Sequence, residues 1–419
     1  MKKYLLIGDA TGIGGWQLYC GARIEYLSQF SDIVVYMVCS YKDTSEIRIK
    51  GFQKAKLINM SAVFRAPYVY TNKEKRKIWE RIKEKISYSQ EDEVFIEATN
   101  ITTSLWGEMI AEKTRGTCFA YILQSWIGRL TENEKAFIKF KYDNHLIAGM
   151  SKQTLRDMLK GYYDVGDDTR ELAAWWGAPI CEEGELSERI KPYVENKDTK
   201  VIGYFGNLAK PHFNKLCDFL KQYCQERKER SFLFVSIGSS KNGNAEEFQK
   251  ETLMNISNLI SVNIPSMYPV PIKNFQAMDV CIASWGSASA AALAKIITIR
   301  LLDDNDIVPQ GILGITISKR PFSEQPNCKE SLNELLDEIL FENRYTREEI
   351  KVSSIGFDEK KRQQDIQETI NPFSNVPKMY YDITRIKCKG IKNYTIRLLN
   401  TILGIEGTDT LITMLKSNS

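Results

Sequence analysis

The chain has 419 residues, of which 43% are hydrophobic, and this length exceeds what one ordinary hydrophobic core occupies. Lysine and arginine total 57 against 53 aspartates and glutamates, so the net charge of +4 is too small to indicate a nucleic-acid-binding protein. We therefore expect two domains that act on a small partner, with no nucleic acid among the ligands.

Signals for export and for metal binding are weak. The apolar run at residues 4–9 is too short for a secretory signal, and no stretch approaches the roughly 18–20 apolar residues that span a bilayer. Nine cysteines are scattered singly without a C-x-x-C pair, and there are only two histidines. We expect a cytoplasmic protein with reduced thiols, no metal site and no cofactor.

Strand-like and helix-like segments alternate along the first half. A strand at residues 4–8 leads into a glycine turn at 12–15 and a helix at 16–30. Later strands are predicted at 33–39, 93–96, 117–123 and 145–150, with helices at 105–113 and 152–160. This alternation indicates an α/β domain whose parallel sheet is covered on both faces.

The second half repeats this rhythm after a polar, charged stretch at residues 181–200. Helices are predicted at 213–229, from 245, at 272–277 and at 286–294, and strands at 201–207, 232–237, 259–264, 280–283 and 296–302. We expect an N-terminal domain at 1–185, a linker at 186–199, a second domain at 200–375 and a helical segment at 376–419. Repeats of 20–50 residues are not visible, which excludes solenoids and propellers.

The order of these signals resembles bacterial glycosyltransferases of the GT-B fold over nearly the whole chain. The resemblance is carried by the glycine turn 12–15, the segment 145–155, the strand and loop at 201–212, and the small-residue segment 278–292. It implies two Rossmann-like domains facing each other across a cleft. In this family the first domain binds the acceptor, the second binds a nucleotide-sugar donor, and a C-terminal helix crosses back to the first domain.

The resemblance also implies which residues contact the donor. Gly14 and Gly15 lie in a loop whose amides can face phosphates at a helix start. Asn207 stands near the family's usual arginine, and Lys210, His212 and Lys215 are the available donors for a diphosphate that gains negative charge as the glycosidic bond breaks.

The small-residue segment implies a second part of the donor site. Its candidate residues open a helix whose amides bind the diphosphate in the family: Gly286, Ser287, Ala288 and Ser289. The glutamate that binds the ribose in the family is missing, because alanines occupy its expected place. Asp303 or Asp304, which follow the next predicted strand, are the nearest carboxylates that can replace it.

Two carboxylates are candidates for acid–base catalysis, because each follows a predicted strand at the edge where ligands bind. These are Asp9 and Glu97. An inverting reaction needs such a base and a retaining one does not, and the sequence leaves both open. Three tryptophans, Trp126, Trp175 and Trp176, are candidates to stack on a sugar, with core packing as the alternative.

The tail from residue 378 is first basic and then amphipathic. Packing against the N-terminal domain is the first interpretation, and peripheral docking on an anionic cytoplasmic membrane, where a lipid-linked acceptor would lie, is the second. The resemblance suggests a hexosyl or related transfer in bacterial surface-polysaccharide or capsule assembly, independent of metal.

Three alternatives remain. A short-chain NAD-dependent enzyme would share the glycine turn, but the only Tyr-x-x-x-Lys pair, Tyr193 and Lys197, falls in the predicted linker. A nucleotide-sugar epimerase shares the GT-B fold, and a non-catalytic subunit would explain the missing glutamate.

Overall fold

The computed structural model divides the chain into two compact units. Unit 1 comprises Met1–Trp176 and Glu359–Ser419, and unit 2 comprises Gly177–Asp358. The structure describes residues 1–122, 130–149, 152–165, 180–196, 198–240, 243–303, 305–318, 328–355, 359–370, 378–388 and 390–417. The division at 176/177 lies upstream of the predicted linker at 186–199, because residues 180–196 belong to unit 2.

Unit 1 contains alternating strands and helices, as the sequence predicts. They are β1 (Lys2–Ile7), α1 (Gly15–Leu27), β2 (Ile33–Cys39), β3 (Lys56–Asn59), α2 (Asn72–Lys85), β4 (Glu93–Ala98), α3 (Ile101–Thr114), β5 (Thr117–Ile122), α4 (Glu132–Asp143), β6 (Ile147–Gly149) and α5 (Lys152–Leu159). The strands form a six-stranded parallel sheet in the order β3-β2-β1-β4-β5-β6. The central strands are buried on both faces, which explains their continuous apolar runs.

Two helices of unit 1 are absent from the sequence prediction, although each carries a start signal. Thr71 and Glu74 form a capping box at the start of α2, and Thr131 and Glu134 form one at the start of α4. Both helices are highly charged and bury few apolar residues, so hydrophobic periodicity alone does not reveal them.

Unit 2 repeats the architecture of unit 1. Its elements are β7 (Ile180–Cys181), β8 (Thr199–Phe205), α6 (Pro211–Glu226), β9 (Ser231–Ile237), α7 (Asn244–Leu253), β10 (Leu259–Ile264), β11 (Val270–Pro271), α8 (Ile272–Gln276), β12 (Val280–Ala283), α9 (Trp285–Leu293), β13 (Ile297–Leu301), β14 (Pro309–Ile312) and α10 (Leu332–Leu340). The sheet order is β10-β9-β8-β12-β13-β14, and β14 runs antiparallel to β13 while the other pairs are parallel.

The last described segments belong to unit 1 and consist of α11 (Glu359–Ile370) and α12 (Ile391–Ser417). Polar contacts attach α12 and the preceding segment 378–388 to the rest of unit 1: the Tyr381 amide donates to Glu108 Oε1 over 2.7 Å, and Asn400 Nδ2 donates to the Val69 carbonyl over 3.3 Å. Gly404 interrupts α12 with a φ of 71°, a conformation that glycine tolerates best. Within the described part of the chain, no helix combines the length and the apolar character needed to cross a bilayer.

Candidate functional site

The strand order of unit 1 reverses between β1 and β4, and such a switch point is where open α/β sheets bind ligands. The loops that leave these two strands touch, since a Cβ added at Gly8 would lie 2.9 Å from Thr99 Oγ1. Thr99 Oγ1 also donates to the Ile7 carbonyl over 3.0 Å. The candidate residues Asp9, Gly14 and Gly15 all follow β1, so the structure brings them to this edge of the sheet.

Asp9 lies partly buried in this loop and is oriented from both sides. Its Oδ1 accepts hydrogen bonds from the Thr11 amide and hydroxyl, each over 2.9 Å, and its Oδ2 accepts one from Gln17 Nε2 over 2.9 Å. Gly12, which lies between Thr11 and Gln17 in the sequence, has a φ of 78°, a backbone conformation that glycine adopts readily. The short turn therefore holds a carboxylate in one orientation at the switch point, as a general base requires.

Gly14 is the N-cap of α1 and Gly15 is its first residue. No side chain caps this helix end, and the first turn carries no acidic residue, so its amides keep their positive electrostatic character. A Cβ added at Gly14 would lie 2.8 Å from Gln17 Oε1, the amide group that orients Asp9. The turn thus keeps backbone close to the carboxylate, which only glycine allows without displacing Gln17.

Glu97 occupies a different environment from the one that the sequence suggests. The strand β4 continues to Ala98, so Glu97 lies inside the strand and is fully buried. Its Oε1 accepts a hydrogen bond from Tyr19 over 2.6 Å, and its Oε2 accepts from Tyr4 and, over 3.3 Å, from Arg23 Nε.

The buried cluster of Glu97, Arg23, Tyr4 and Tyr19 satisfies the carboxylate inside unit 1. Burial raises the pKa of Tyr4 and Tyr19 well above the usual value, so both hydroxyls keep their protons and donate to Glu97. Arg23 Nη2 also donates to Gln367 Oε1 over 2.7 Å, which ties α11 to α1. This arrangement supports a structural role for Glu97, and our proposal assigns base catalysis to Asp9.

In unit 2 the strand order reverses between β8 and β12, so the loops after Phe205 and Ala283 form the equivalent switch point. The backbones are packed closely here, because a Cβ added at Gly238 would lie 1.9 Å from the Gly206 carbonyl oxygen. One added at Gly206 would lie 3.6 Å from Ser287 Oγ. Gly238 thus lets the loops after β8 and β9 pack together, whereas a side chain at Gly206 would be in ordinary van der Waals contact with the start of α9.

Lys210 and the start of α9 are brought together at this edge. Lys210 Nζ donates to Ser284 Oγ over 3.2 Å, which joins the loop after β8 to the N-cap of α9. The Ser284 side chain does not cap the helix, and its first turn has no acidic residue. A lysine ammonium next to the positive end of a helix is suited to bind a phosphate or diphosphate.

The four small residues predicted in this segment divide by burial. Gly286 and Ser287 are half-buried in the first turn of α9, whereas Ala288 and Ser289 are buried. The first pair is therefore partly accessible at the start of the helix, and the second pair is packed inside unit 2.

The other predicted cationic donors differ in exposure. His212 is fully buried and its Nε2 is hydrogen-bonded to the Tyr204 hydroxyl over 2.8 Å, so we leave it out of the proposed site. Lys215 is exposed on α6 and lies 3.4 Å from Asp306 Oδ1. Asn207 is exposed, and its Oδ1 accepts from the Ala209 amide over 2.9 Å, which shapes the loop.

Asp303 follows β13 at the same edge of the sheet. Its Oδ1 accepts hydrogen bonds from the amides of Asn305 and Asp306 over 2.7 and 3.1 Å. None of the described hydrogen bonds uses its Oδ2, and the residue is partly buried. Asp304 lies outside the described residues, as do Trp126, Trp175 and Trp176.

Two further residues of this edge were not predicted. Ser284 lies in the small-residue segment 278–292 but is not among the residues predicted there to contact the donor, although it contacts Lys210. Arg300 is the register partner of Ala283, the last residue of β12, and burial lowers its pKa to about 10. Because this pKa is still above neutrality, Arg300 keeps its charge and adds to the positive character of the edge. A single basic residue inside an apolar strand gives no periodic signal that could reveal it.

Asp279 belongs to the small-residue segment 278–292 and precedes β12, at the end of the strand opposite to Ser284. It makes a structural contact there. Its Oδ2 accepts a hydrogen bond from the Val201 amide over 2.8 Å, which holds β8 against β12. Among the described residues, no group of three or more histidine, cysteine, aspartate or glutamate side chains is placed to hold a metal ion.

Comparison with known proteins identifies the fold. Neither a protein-family model nor a curated protein matches the sequence. A solved glycosyltransferase from Rickettsia africae aligns over 89% of this chain and 99% of its own, with 12% identity and a TM-score of 0.60. OtsA in its apo form aligns over 90% of this chain and 100% of its own, with 10% identity and a TM-score of 0.52. The chain therefore has the GT-B fold, with two Rossmann-like units of equivalent strand order.

Proposed function

We propose that the protein is a glycosyltransferase that moves a sugar, a hexose or a related one, from a nucleotide-sugar donor to a hydroxyl group of a glycan or a lipid-linked acceptor. The observation that carries this proposal is the contact of Lys210 with Ser284 beside the first turn of α9. It gives unit 2 a cation and a set of helix amides at the edge where a nucleotide diphosphate would bind.

The proposed reaction breaks the bond between the anomeric carbon and the diphosphate oxygen and sends the electron pair to the diphosphate. Lys210 and the amides of Gly286 and Ser287 stabilise the charge that develops on this leaving group. The site supplies these donors from the chain itself, and we propose that no metal ion takes part.

We assign the acceptor side to unit 1. The acceptor hydroxyl oxygen forms the new bond to the anomeric carbon, and Asp9 takes the proton that it loses. The turn with Gly14 and Gly15 keeps the backbone close to this carboxylate. A base at this position corresponds to an inverting reaction. The proposed setting is bacterial surface-polysaccharide or capsule assembly, with peripheral contact to the cytoplasmic membrane.

The test is a titration of the full chain with UDP-, GDP-, CDP- and ADP-sugars, followed by analysis of the products with candidate acceptors. We expect micromolar to millimolar binding of one nucleotide class, transfer of its sugar, and turnover that is unaffected by a chelator. Absence of binding across the whole panel would favour a non-catalytic subunit. Conversion of the donor into its epimer without any acceptor would identify an epimerase instead.

A further inference from the structure

The outer face of the first half of α12 presents large apolar side chains to solvent. Ile391, Tyr394, Leu398 and Ile402 expose 87%, 57%, 59% and 67% of their surfaces. Their spacing of three, four and four residues places them on one side of a helix with 3.6 residues per turn. We call these four residues the apolar stripe. Residues 391–403 are long enough for a stripe of about 20 Å.

The opposite face of the helix fixes the direction of the stripe. Asn400 is buried and bonded to the Val69 carbonyl, and Ile396 and Ile405 pack against the core of unit 1. Beyond the kink at Gly404, Asp409 accepts a hydrogen bond from Ser61 over 2.5 Å and forms an ion pair with Arg65. The helix is therefore anchored on its inner side, and the apolar stripe is directed away from unit 1.

The charges beside the stripe have one sign. Lys392 and Arg397 are exposed and lie on opposite flanks of the apolar stripe. Lys392 follows the stripe residue Ile391, whereas Arg397 precedes the stripe residue Leu398, and one step along a helix in either direction rotates a side chain to opposite sides. Between Asp382 and Glu406 the sequence contains five basic residues and no acidic one. An apolar stripe with basic flanks on a helix too polar to span a bilayer is typical of a helix that lies in the interface of an anionic membrane.

We propose that α12 docks unit 1 on an anionic lipid surface, with the apolar stripe inserted below the headgroups and Lys392 and Arg397 at their level. This inference deepens the proposed function, since a lipid-linked acceptor would lie in the same surface. Binding to lipid needs no sugar transfer, however, so the two proposals can fail separately.

The experiment is sedimentation of the full chain with vesicles, without donor or acceptor. We expect binding to vesicles of phosphatidylcholine mixed with phosphatidylglycerol, weak binding to phosphatidylcholine alone, and release at high salt. Leu398→Gln with Ile402→Gln should weaken the partition onto the anionic vesicles by about tenfold or more. Lys392→Gln with Arg397→Gln should also weaken binding to the anionic vesicles and should reduce its salt dependence, because two of the five basic residues of this segment are removed.

The matched control is Met254→Gln with Ile260→Gln, which removes two exposed apolar side chains from unit 2 and should leave vesicle binding unchanged. Thermal unfolding of each variant checks its fold. Wild-type binding by both α12 variants would overturn the proposal. The proposal would also be overturned if the wild-type chain did not bind vesicles but formed a dimer, and if Leu398→Gln with Ile402→Gln dissociated this dimer. The apolar stripe would then pack against a second copy of the chain. A separate nucleotide titration of the same variants reports on the proposed function alone.

Discussion

The two units share one strand order and differ in the chemistry at their switch points. Unit 1 presents a carboxylate, Asp9, that is oriented by Thr11 and Gln17. Unit 2 presents a cation, Lys210, beside an uncapped helix start. Because the strand order is the same and the strands at both switch points are parallel, the difference arises from the loops that follow these strands. One frame thus carries a carboxylate at one switch point and a cation at the other.

The interiors of the units differ as well. Unit 1 buries the charged pair of Glu97 and Arg23 between β4 and α1, whereas none of the ion pairs described in unit 2 has both side chains buried. Burial of a charged pair costs desolvation, which the two tyrosines beside Glu97 offset by hydrogen bonding. Glu97, inside a strand, is thus part of the core of unit 1, whereas Asp9, just after a strand, lies at the edge of the sheet. We expect substitution of Glu97 to lower stability and substitution of Asp9 to lower turnover.

The largest effect is expected at Asp9. Asp9→Asn keeps the hydrogen bonds from Thr11 but removes the base, so turnover should fall by about 10²- to 10⁴-fold while donor affinity changes little. Asp43→Asn is the matched control, because Asp43 also accepts from a loop amide after a strand, Ser45, over 2.8 Å. Steady-state kinetics with both substrates provides the measurement. Unchanged turnover in Asp9→Asn would remove the base from unit 1 and favour a retaining reaction.

Glu97→Gln should instead act on stability. It leaves the Arg23 guanidinium buried without its charge partner, which should lower the opening free energy of β4 and α1 by about 3–5 kcal/mol. Native-state hydrogen exchange measures this loss, with the amides of β12 in unit 2 as an internal reference. Glu93→Gln, on the exposed start of the same strand, should have little effect.

A double replacement tests whether Glu97 acts on stability through its pairing with Arg23. Arg23→Met with Glu97→Met removes both charges and should recover much of the stability, since apolar residues of similar size often replace a buried pair at little cost. If Glu97→Gln were as stable as the wild type but inactive, Glu97 would act in the chemistry and the distinction between the two carboxylates would be wrong.

Lys210→Ala should slow transfer by roughly two to three decades, or about 2–4 kcal/mol, because the charge that develops on the leaving diphosphate loses its cation. Lys221→Ala, on the exposed face of the same helix α6, is the matched control. The readout is kcat/KM together with the affinity for the free nucleoside diphosphate. A change below about threefold would assign the role to Lys215 or to another residue.

The smallest effect concerns the ribose. Asp303→Asn keeps the Oδ1 acceptor of the Asn305 amide and removes the charge from Oδ2, so it should reduce the preference for a nucleotide over its 2′,3′-dideoxy analogue by about fivefold to tenfold. Asp306→Asn, which affects the contact with Lys215, should leave this preference unchanged. Calorimetric titration with both nucleotides tests it. An unaltered preference in Asp303→Asn would show that the ribose is held without this carboxylate.

Most of the fold could be predicted from the sequence. The apolar runs of β2, β9, β10 and β12 are each bounded by polar, glycine or proline residues, and the structure has them within one residue of the predicted bounds. The antiparallel β14 was missed because it is short and starts with a proline, which disfavours a strand in sequence analysis. The helix predicted at 16–30 ends at Leu27, since Ser28 donates its hydroxyl to the Ile24 carbonyl and closes the last turn.

The candidate site could be predicted only in part. Asp9, Lys210 and the start of α9 follow strands, and the parallel order of those strands places them at the ligand-binding edge. The burial of Glu97 and His212 could not be deduced, because it depends on Arg23 and Tyr204, which are distant or unremarkable in the sequence. The contact of Lys210 with Ser284 joins residues 74 positions apart, and no local pattern records it.

The sequence by itself determined the two α/β units, the glycine turns and the strand ends at which candidate residues appear, since these depend on local periodicity and backbone preference. Only the tertiary structure decided that Glu97 is part of a core, that Lys210 lies beside the start of α9, and which face of α12 is exposed. Those outcomes depend on packing between segments far apart in the chain, where desolvation and hydrogen bonding are decided by the neighbours that the fold supplies.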